Sequence, residues 1–139
     1  MADVAVVSTK LEQIEQYYGE LQTKQSLSEQ QFLGNITEQR AVERMFENAI
    51  SACIDLSQHI ATTDFGYEAD SSKGAVDVLS TNSVLDDDTA IVLTDAIGFR
   101  NILAHEYGDV NPRQVYTYLQ NELRVYEEFS RQVATWFEG

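Results

Sequence analysis

Residues 37–62 read TEQRAVERMFENAISACIDLSQHIAT, a long run without glycine or proline. Its apolar residues recur three and four positions apart, the spacing that places side chains on one face of an α-helix: Val42, Phe46, Ala49, Cys53, Leu56 and Ile60. Thr37 is the predicted N-terminal cap. The stretch therefore predicts a long amphipathic helix whose apolar face packs against other elements.

The same spacing recurs on both sides of this helix. A first helix is predicted from the positions of Val4, Val7, Leu11, Ile14, Tyr18 and Leu21. Residues 27–36 and 64–74 contain glycines and small polar residues, which predicts connections. Residues 75–80 are predicted to form a short helix.

Two more helices are predicted in the second half of the chain. The acidic run at residues 86–88 suits the positive end of a helix, and Gly108 is a suitable stop for it. Asn111 and Pro112 are a typical cap and first residue of a last helix, which continues through Phe137. The sequence thus predicts an all-α fold: an antiparallel up-down bundle of four main helices plus a short extra helix.

The length of 139 residues is enough for one core, so we expect a single helical domain over residues 1–139. No apolar run approaches the roughly 20 residues that span a bilayer. Residues 1–10 lack the basic and apolar blocks of a secretory signal. We therefore expect a cytoplasmic protein with no membrane partner.

The chain is strongly acidic, with nine Lys and Arg against 23 Asp and Glu and a formal net charge of −14. Phosphates repel an acidic surface, so this balance argues against a nucleic-acid partner. A high-salt source is the favoured explanation, because the Debye length falls to roughly 3 Å at 1 M salt; an acidic-partner role is the alternative. Between Thr89 and His105 the only acidic residue is Asp95, so this segment is spared the excess of negative charge.

The only cysteine, Cys53, lies among apolar residues and is predicted to be a buried structural thiol. No Cys/His cluster with the spacing of zinc ligands is present. We expect neither a metal site nor a cofactor.

Residues 100–107 read RNILAHEY and combine a permanent cation, a group that titrates near neutral pH and a phenol. The forked guanidinium of Arg100 suits phosphate oxygens. His105 can take and give protons at physiological pH. Arg100 and His105 are therefore candidate catalytic residues for metal-free chemistry on a phosphodiester, with Asn101 in a supporting role.

This stretch resembles the R-x4-H-x-Y motif of HEPN-domain ribonuclease toxins, specifically the HepT type. Residues 98–107 match the family pattern without a gap, and residues 38–56 resemble the family's second helix. The resemblance covers roughly residues 3–137. It implies an all-helical fold, cleavage of RNA (tRNA or mRNA), and a homodimer in which a two-fold axis brings both copies of the motif into one cleft.

The spacing of the motif poses a geometric problem. On an ideal helix Arg100 and His105 point about 140° apart, so they do not reach one small target. Either the helix loosens near Gly108, or two subunits share the site, as the resemblance implies. In our hypothesis one His105 removes the proton of a ribose 2′-hydroxyl, the other protonates the leaving 5′-oxygen, and Arg100 binds the phosphate. Asn101 would position the phosphate or His105.

Tyr107 has a role that comes from the resemblance alone. In toxins of this type the tyrosine resembles an acceptor of adenylyl groups, transferred by a cognate minimal nucleotidyltransferase antitoxin. The added AMP would block RNA by its bulk and charge. The same resemblance implies a complex of the homodimer with the antitoxin, with the possibility of a larger hetero-oligomer.

Less specific interpretations stay open for the same residues. Arg100 can pair with Asp95 or Glu106, and a histidine near a helix end often binds carbonyls. The whole chain can be a non-catalytic helical module that binds a nucleotidyltransferase partner or a nucleotide, or a structural dimerisation domain. Elsewhere, structural roles are favoured over functional ones. His59 is predicted to face solvent or to pack, Arg40 and Arg44 to join a charge network within their helix and not an RNA-contacting edge, and the acids at 86–88 to form a solvated helix start and not a magnesium site. The spacing of Tyr116, Tyr118 and Tyr126 fits packing at least as well as the stacking of bases.

Overall fold

The computed structural model describes residues 1–68, 70–105 and 110–139. Over these ranges the chain forms seven α-helices and no β-strand. The helices are α1 (Val4–Lys24), α2 (Glu29–Leu33), α3 (Ile36–Phe65), α4 (Ser72–Thr81), α5 (Asp87–His105), α6 (Pro112–Asn121) and α7 (Arg124–Glu138). The all-α prediction is confirmed. No described helix is both long and apolar enough to cross a bilayer.

Helix α3 is the centre of the fold and contacts each of the other six helices. Its predicted apolar stripe is fully buried, and Ile50 and Ala61 widen it. The helix begins earlier than predicted because Asn35, not Thr37, is its cap: the Asn35 side chain accepts from the backbone N of Thr37 at 3.1 Å. Gly66 ends the helix in the left-handed conformation with φ 62°, which favours glycine.

The predicted connection at residues 27–36 contains a short helix, α2. Ser28 and Gln31 form a capping box, in which each side chain accepts from the other residue's backbone N. Phe32 is fully buried and packs near Tyr116 of α6. The prediction missed this helix because the hydrophobic period cannot be seen over five residues.

The prediction of one continuous last helix is wrong, because α6 ends at Asn121 and α7 starts at Arg124. The Leu119 carbonyl, near the end of α6, accepts from Gln25 Nε2 at 3.0 Å. In return Gln120 Nε2 donates to the Gln25 carbonyl at 2.9 Å. These bonds tie the end of α6 to the end of α1 and satisfy a backbone group that the break exposes.

The acidic run before α5 forms an exposed helix start, as predicted. Asp86 Oδ1 accepts from the backbone N of Thr89 at 2.8 Å. Gln132 of α7 bonds Asp86 on both sides: its Nε2 donates to Oδ2 at 3.0 Å and its Oε1 accepts from the backbone N at 2.8 Å. Asp86 thereby fixes the start of α5 on α7.

We expect Asp86→Ala to lower the free energy of unfolding by about 1 kcal/mol at neutral pH, the usual cost of losing a helix cap. The hydrogen bonds from Thr89, followed by the weaker one from Gln132, hold the pKa of Asp86 below its ordinary value of 3.8. A carboxyl whose folded pKa is lowered stabilises the fold above its ordinary pKa, and the contribution is lost as pH falls through the folded pKa.

The difference between wild type and Asp86→Ala should therefore shrink in acid, as measured by urea unfolding from pH 7 to pH 3. Asp88→Ala is the matched control, since Asp88 is an exposed acid of the same helix start. An equal loss in both variants would show that only the charge at the helix end matters.

Candidate active site at the end of helix α5

Two buried residues hold the last turns of α5 against the core. Phe99 stacks on Tyr118 of α6, with ring centroids 4.1 Å apart and planes at 3°. It also meets Phe46 of α3 edge to face at 5.4 Å. Leu103, one turn later, is 3% exposed. Because these residues face the core, those between and beyond them are turned toward the surface.

The three described candidates lie on these turns. Arg100 is half-buried, whereas Asn101 and His105 are exposed. Arg100 Nη1 donates to Asn101 Oδ1 at 3.5 Å, a long bond. Asn101 therefore contacts Arg100, not His105. Asp95, a predicted partner of Arg100, forms no ion pair with it, and Glu106 lies outside the described residues.

His105 lies in the last turn of α5, as predicted. Within the described ranges no side chain hydrogen-bonds to the imidazole. Tyr107 and Gly108, the predicted acceptor and helix stop, lie outside the described residues.

Helical geometry is kept from Arg100 through His105. The two side chains therefore leave the helix about 140° apart, and one chain does not aim both at one phosphate. Three grooves of the described surface lie between α1 and α7, between α4 and α5, and beside the start of α5.

Tyr118 stacks on Phe99, the residue before Arg100, and is therefore not free to stack on bases. It is half-buried under Phe99. Burial, and then the charges of Asp95 and Glu122, raise the pKa of its phenol, so it stays neutral at physiological pH. Tyr126 is buried and Tyr116 donates to the Leu27 carbonyl at 2.8 Å. The predicted packing roles of these tyrosines are confirmed.

The other candidates also have structural roles. Arg40 and Arg44 pair with Glu43 at 2.6 Å and Glu47 at 3.2 Å, which confirms the predicted network within α3. Cys53 is fully buried, and burial raises the pKa of its thiol, so it stays a thiol. In the described ranges no three His, Cys, Asp or Glu side chains converge as metal ligands do.

His59 is partly buried on α3 and belongs to the start of α1. Its Nε2 accepts from the backbone N of Asp3 at 3.0 Å. Asp3 in turn caps α1 by accepting from the backbone N of Ala5 at 2.8 Å. Of the two predicted positions of His59, facing solvent or packed, the structure shows the packed one, with a hydrogen bond to the start of α1.

Sequence reasoning missed Lys73 and Gly98. Gly98 is in the interior of α5, and a Cβ added to it would lie 3.9 Å from Lys73 Nζ of α4. The ammonium of Lys73 therefore lies close to the α5 backbone just before the motif. The only hint in the sequence was a glycine inside a helical pattern, which costs stability and so suggests a reason for its presence.

We expect Gly98→Ala to raise the free energy of unfolding by about 0.5–1 kcal/mol, because glycine is a poor residue in a helix interior. The new methyl would make only an ordinary contact with Lys73. Gly19→Ala in α1 is the matched control, since a Cβ there meets nothing within 4 Å. Urea unfolding of both variants measures the gain, and a loss of stability in Gly98→Ala alone would contradict the open space at this position.

A protein-family model described as ribonuclease HepT-like matches residues 7–133, which include the whole stretch from Phe99 to Tyr107. The chain belongs to this family. The resemblance that the sequence suggested is confirmed, and with it the assignment to a family of ribonucleases.

Two relatives of this HepT-like chain cover most of its length. The tRNA nuclease HepT of Aphanizomenon flos-aquae is 27% identical over 128 residues, 92% of this chain and 87% of the relative. The mRNA nuclease HepT of Shewanella oneidensis is 26% identical over 126 residues, 91% of this chain and 89% of the relative.

A solved structure has the same fold. It is the tri-AMPylated HEPN toxin of Shewanella oneidensis in complex with an MNT antitoxin, and it matches with a TM-score of 0.86 at 24% identity. The match covers 97% of this chain and 99% of that toxin. The common fold therefore spans nearly all of the HepT-like chain.

Proposed function

We propose that this chain is the toxin of a toxin–antitoxin pair, and that it cleaves RNA without a metal ion through Arg100 and His105. The observation that carries the proposal is the position of both residues on the outer turns of α5, in a chain of the HepT-like ribonuclease family. Membership of a ribonuclease family favours this function over a non-catalytic binding module or a structural dimerisation domain. In addition, neither alternative needs an acid–base residue such as His105.

In the proposed site two copies of the chain face each other. The divergence of Arg100 and His105 on one regular helix supports this arrangement, since a single copy cannot direct both at one phosphate. A two-fold axis beside the end of α5 would bring two guanidinium and two imidazole groups into one cleft. The α5 helix of the second copy would also form the other side of this cleft.

The proposed reaction needs only proton transfer and charge stabilisation. One His105 takes the proton of the 2′-hydroxyl as its oxygen attacks the adjacent phosphorus. The bond from phosphorus to the 5′-oxygen breaks, and the other His105 gives that oxygen a proton. The products are a 2′,3′-cyclic phosphate and a 5′-hydroxyl. Arg100 stabilises the negative charge that builds up on the phosphoryl oxygens.

The two relatives are named for different RNAs, one for tRNA and one for mRNA. We therefore propose an RNA substrate of either kind. Asn101 would support Arg100, because its Oδ1 accepts from the guanidinium Nη1 at 3.5 Å.

The proposed partner is a minimal nucleotidyltransferase antitoxin that adenylylates Tyr107. Support comes from the Shewanella oneidensis toxin, which is AMPylated and bound to an MNT antitoxin. Tyr107 lies two residues beyond His105, so AMP on its oxygen would place a phosphate and an adenosine beside the cleft. RNA would then be excluded by bulk and by charge repulsion.

The test is cleavage of tRNA and total RNA by protein made without the antitoxin, in EDTA and high potassium chloride. Intact mass first verifies that Tyr107 carries no AMP. We expect fragments that end in 2′,3′-cyclic phosphate. Cleavage that appears only after Mg²⁺ is added would reject the metal-free mechanism, and no cleavage under any condition would reject the nuclease.

A further inference from the structure

Almost every basic side chain of this acidic protein is neutralised within the chain. Of nine Lys and Arg, seven form ion pairs with carboxylates of the described residues. They are Lys10, Lys24, Arg40, Arg44, Arg113, Arg124 and Arg131. Lys73 and Arg100 form no such pair with any described carboxylate. Arg100 belongs to the proposed active site, whereas Lys73 has no role in it so far.

Lys73 approaches the same face of α5 as His105. Its Nζ lies 3.9 Å from the position of a Cβ on Gly98. Gly98 and His105 are seven residues apart, so they leave the helix within about 20° of each other. Asn101 lies about 60° from Gly98 on that face. Both Lys73 and His105 are exposed.

The axial distance decides what Lys73 can bind. Seven residues of helix correspond to about 10 Å between the levels of Gly98 and His105. Lys73 is therefore placed away from the phosphate whose leaving 5′-oxygen His105 would protonate. Its ammonium suits a neighbouring phosphate of an RNA strand that runs along this face of α5.

We propose that Lys73 is a substrate-binding residue that holds an RNA phosphate next to the one being cleaved. The inference rests on the proposed function, because it takes RNA as the ligand. A lysine ammonium is a compact point charge with three donors, well suited to a phosphate. Gly98 keeps the space beside that ammonium open, because any longer side chain at this position would occupy it.

An intrahelical ion pair is the simplest competing role for Lys73, and the structure does not form it. Asp77 is four residues later on α4, but no ion pair joins the two, and a basic residue that precedes an acid at this spacing is the weaker order. Asp95 lies one turn before Gly98 on α5 and is exposed. These acids make the surface around Lys73 negative. Any attraction for a phosphate at this position would therefore come from the ammonium of Lys73.

The test uses the salt dependence of RNA binding. Counterion release makes log Kobs fall linearly with log salt, with a slope of about −0.7 for each phosphate contact on a single strand. A fluorescent single-stranded oligoribonucleotide is titrated with His105→Ala protein, which is expected to bind RNA without cleaving it. We expect Lys73→Ala in this background to make the slope shallower by about 0.7 for each lysine that contacts RNA.

Two further variants separate a phosphate contact from a change in fold. Lys10→Ala removes a lysine that is paired with Asp55 at 3.1 Å, and we expect it to leave the slope unchanged. Lys73→Arg keeps the cation and should restore the slope. A purely structural role for Lys73 would alter stability without moving the slope.

Wild-type cleavage is measured in parallel, so that the two proposals can fail separately. Cleavage by wild type with an unchanged slope in Lys73→Ala would overturn the role of Lys73 and leave the nuclease intact. If wild type neither cleaves nor binds RNA, both proposals are overturned. A shallower slope in Lys73→Ala, restored by Lys73→Arg, would support the proposal.

Discussion

Arg100→Ala and His105→Ala are each expected to lose RNA cleavage by a factor of roughly 10² to 10⁴. Removal of a general acid or base typically costs that much, and removal of one donor that stabilises a developing oxyanion costs roughly 10² to 10³. In the proposed cleft each substitution acts twice, because both copies of the chain lose the same group. The measurement is kcat/KM on the RNA that wild type cleaves.

His59→Ala is the matched control, since the protein has only two histidines. His59 lies on α3, where its Nε2 accepts from the backbone N of Asp3. We expect this variant to keep its cleavage rate and to lose some stability at the start of α1. A comparable loss of cleavage in His59→Ala would mean that the assay reports folding, not chemistry.

The two catalytic variants should fold like wild type. His105 is exposed and Arg100 is half-buried without a described ion pair, so we expect changes in the free energy of unfolding of about 0.5 kcal/mol or less. If two copies of His105 act as acid and base, kcat/KM of wild type should depend on pH as a bell-shaped curve. Full cleavage by either alanine variant would remove that residue from the mechanism.

The sequence predicted those parts of the fold that depend on near neighbours. The apolar period from Val42 to Ile60 was sufficient for α3, and Asn111 with Pro112 marked the start of α6 correctly. The break before α7 could not be predicted from near neighbours, since the Leu119 carbonyl beside it is bonded by Gln25, which lies 94 positions away. The local pattern across the break is helical on both sides.

The candidate site shows the same division. The residue types of Arg100, Asn101 and His105 and their helical spacing were readable from the chain. The approach of Lys73 to Gly98 was not, because it results from the packing of α4 on α5. The pairings of Arg40 and Arg44 within α3 could be predicted, but ion pairs between helices, such as Lys10 with Asp55 and Arg113 with Glu29, could not. These pairs decide which positive charges are left to attract a phosphate.

Tyr107→Phe is expected to abolish the addition of AMP by the antitoxin while cleavage by the unmodified toxin is kept. In the proposed modification the phenolic oxygen attacks the α-phosphorus of ATP, pyrophosphate leaves, and the phenolic proton is lost to a base. Phenylalanine has no oxygen to make this bond but keeps the aromatic ring. The mass increase from AMP should therefore be absent from Tyr107→Phe. Its cleavage rate should equal that of unmodified wild type.

The experiment incubates toxin with antitoxin and ATP, followed by intact mass and cleavage of RNA. Wild type should gain one or more AMP groups and lose cleavage in proportion, since each group would add a negative phosphate beside the proposed cleft. Tyr17→Phe is the matched control, because Tyr17 is a partly buried tyrosine on α1 and should not affect modification. AMP on the Tyr107→Phe protein would assign the acceptor to another residue. An unmodified Tyr107→Phe protein that the antitoxin still silences would mean that complex formation alone covers the end of α5.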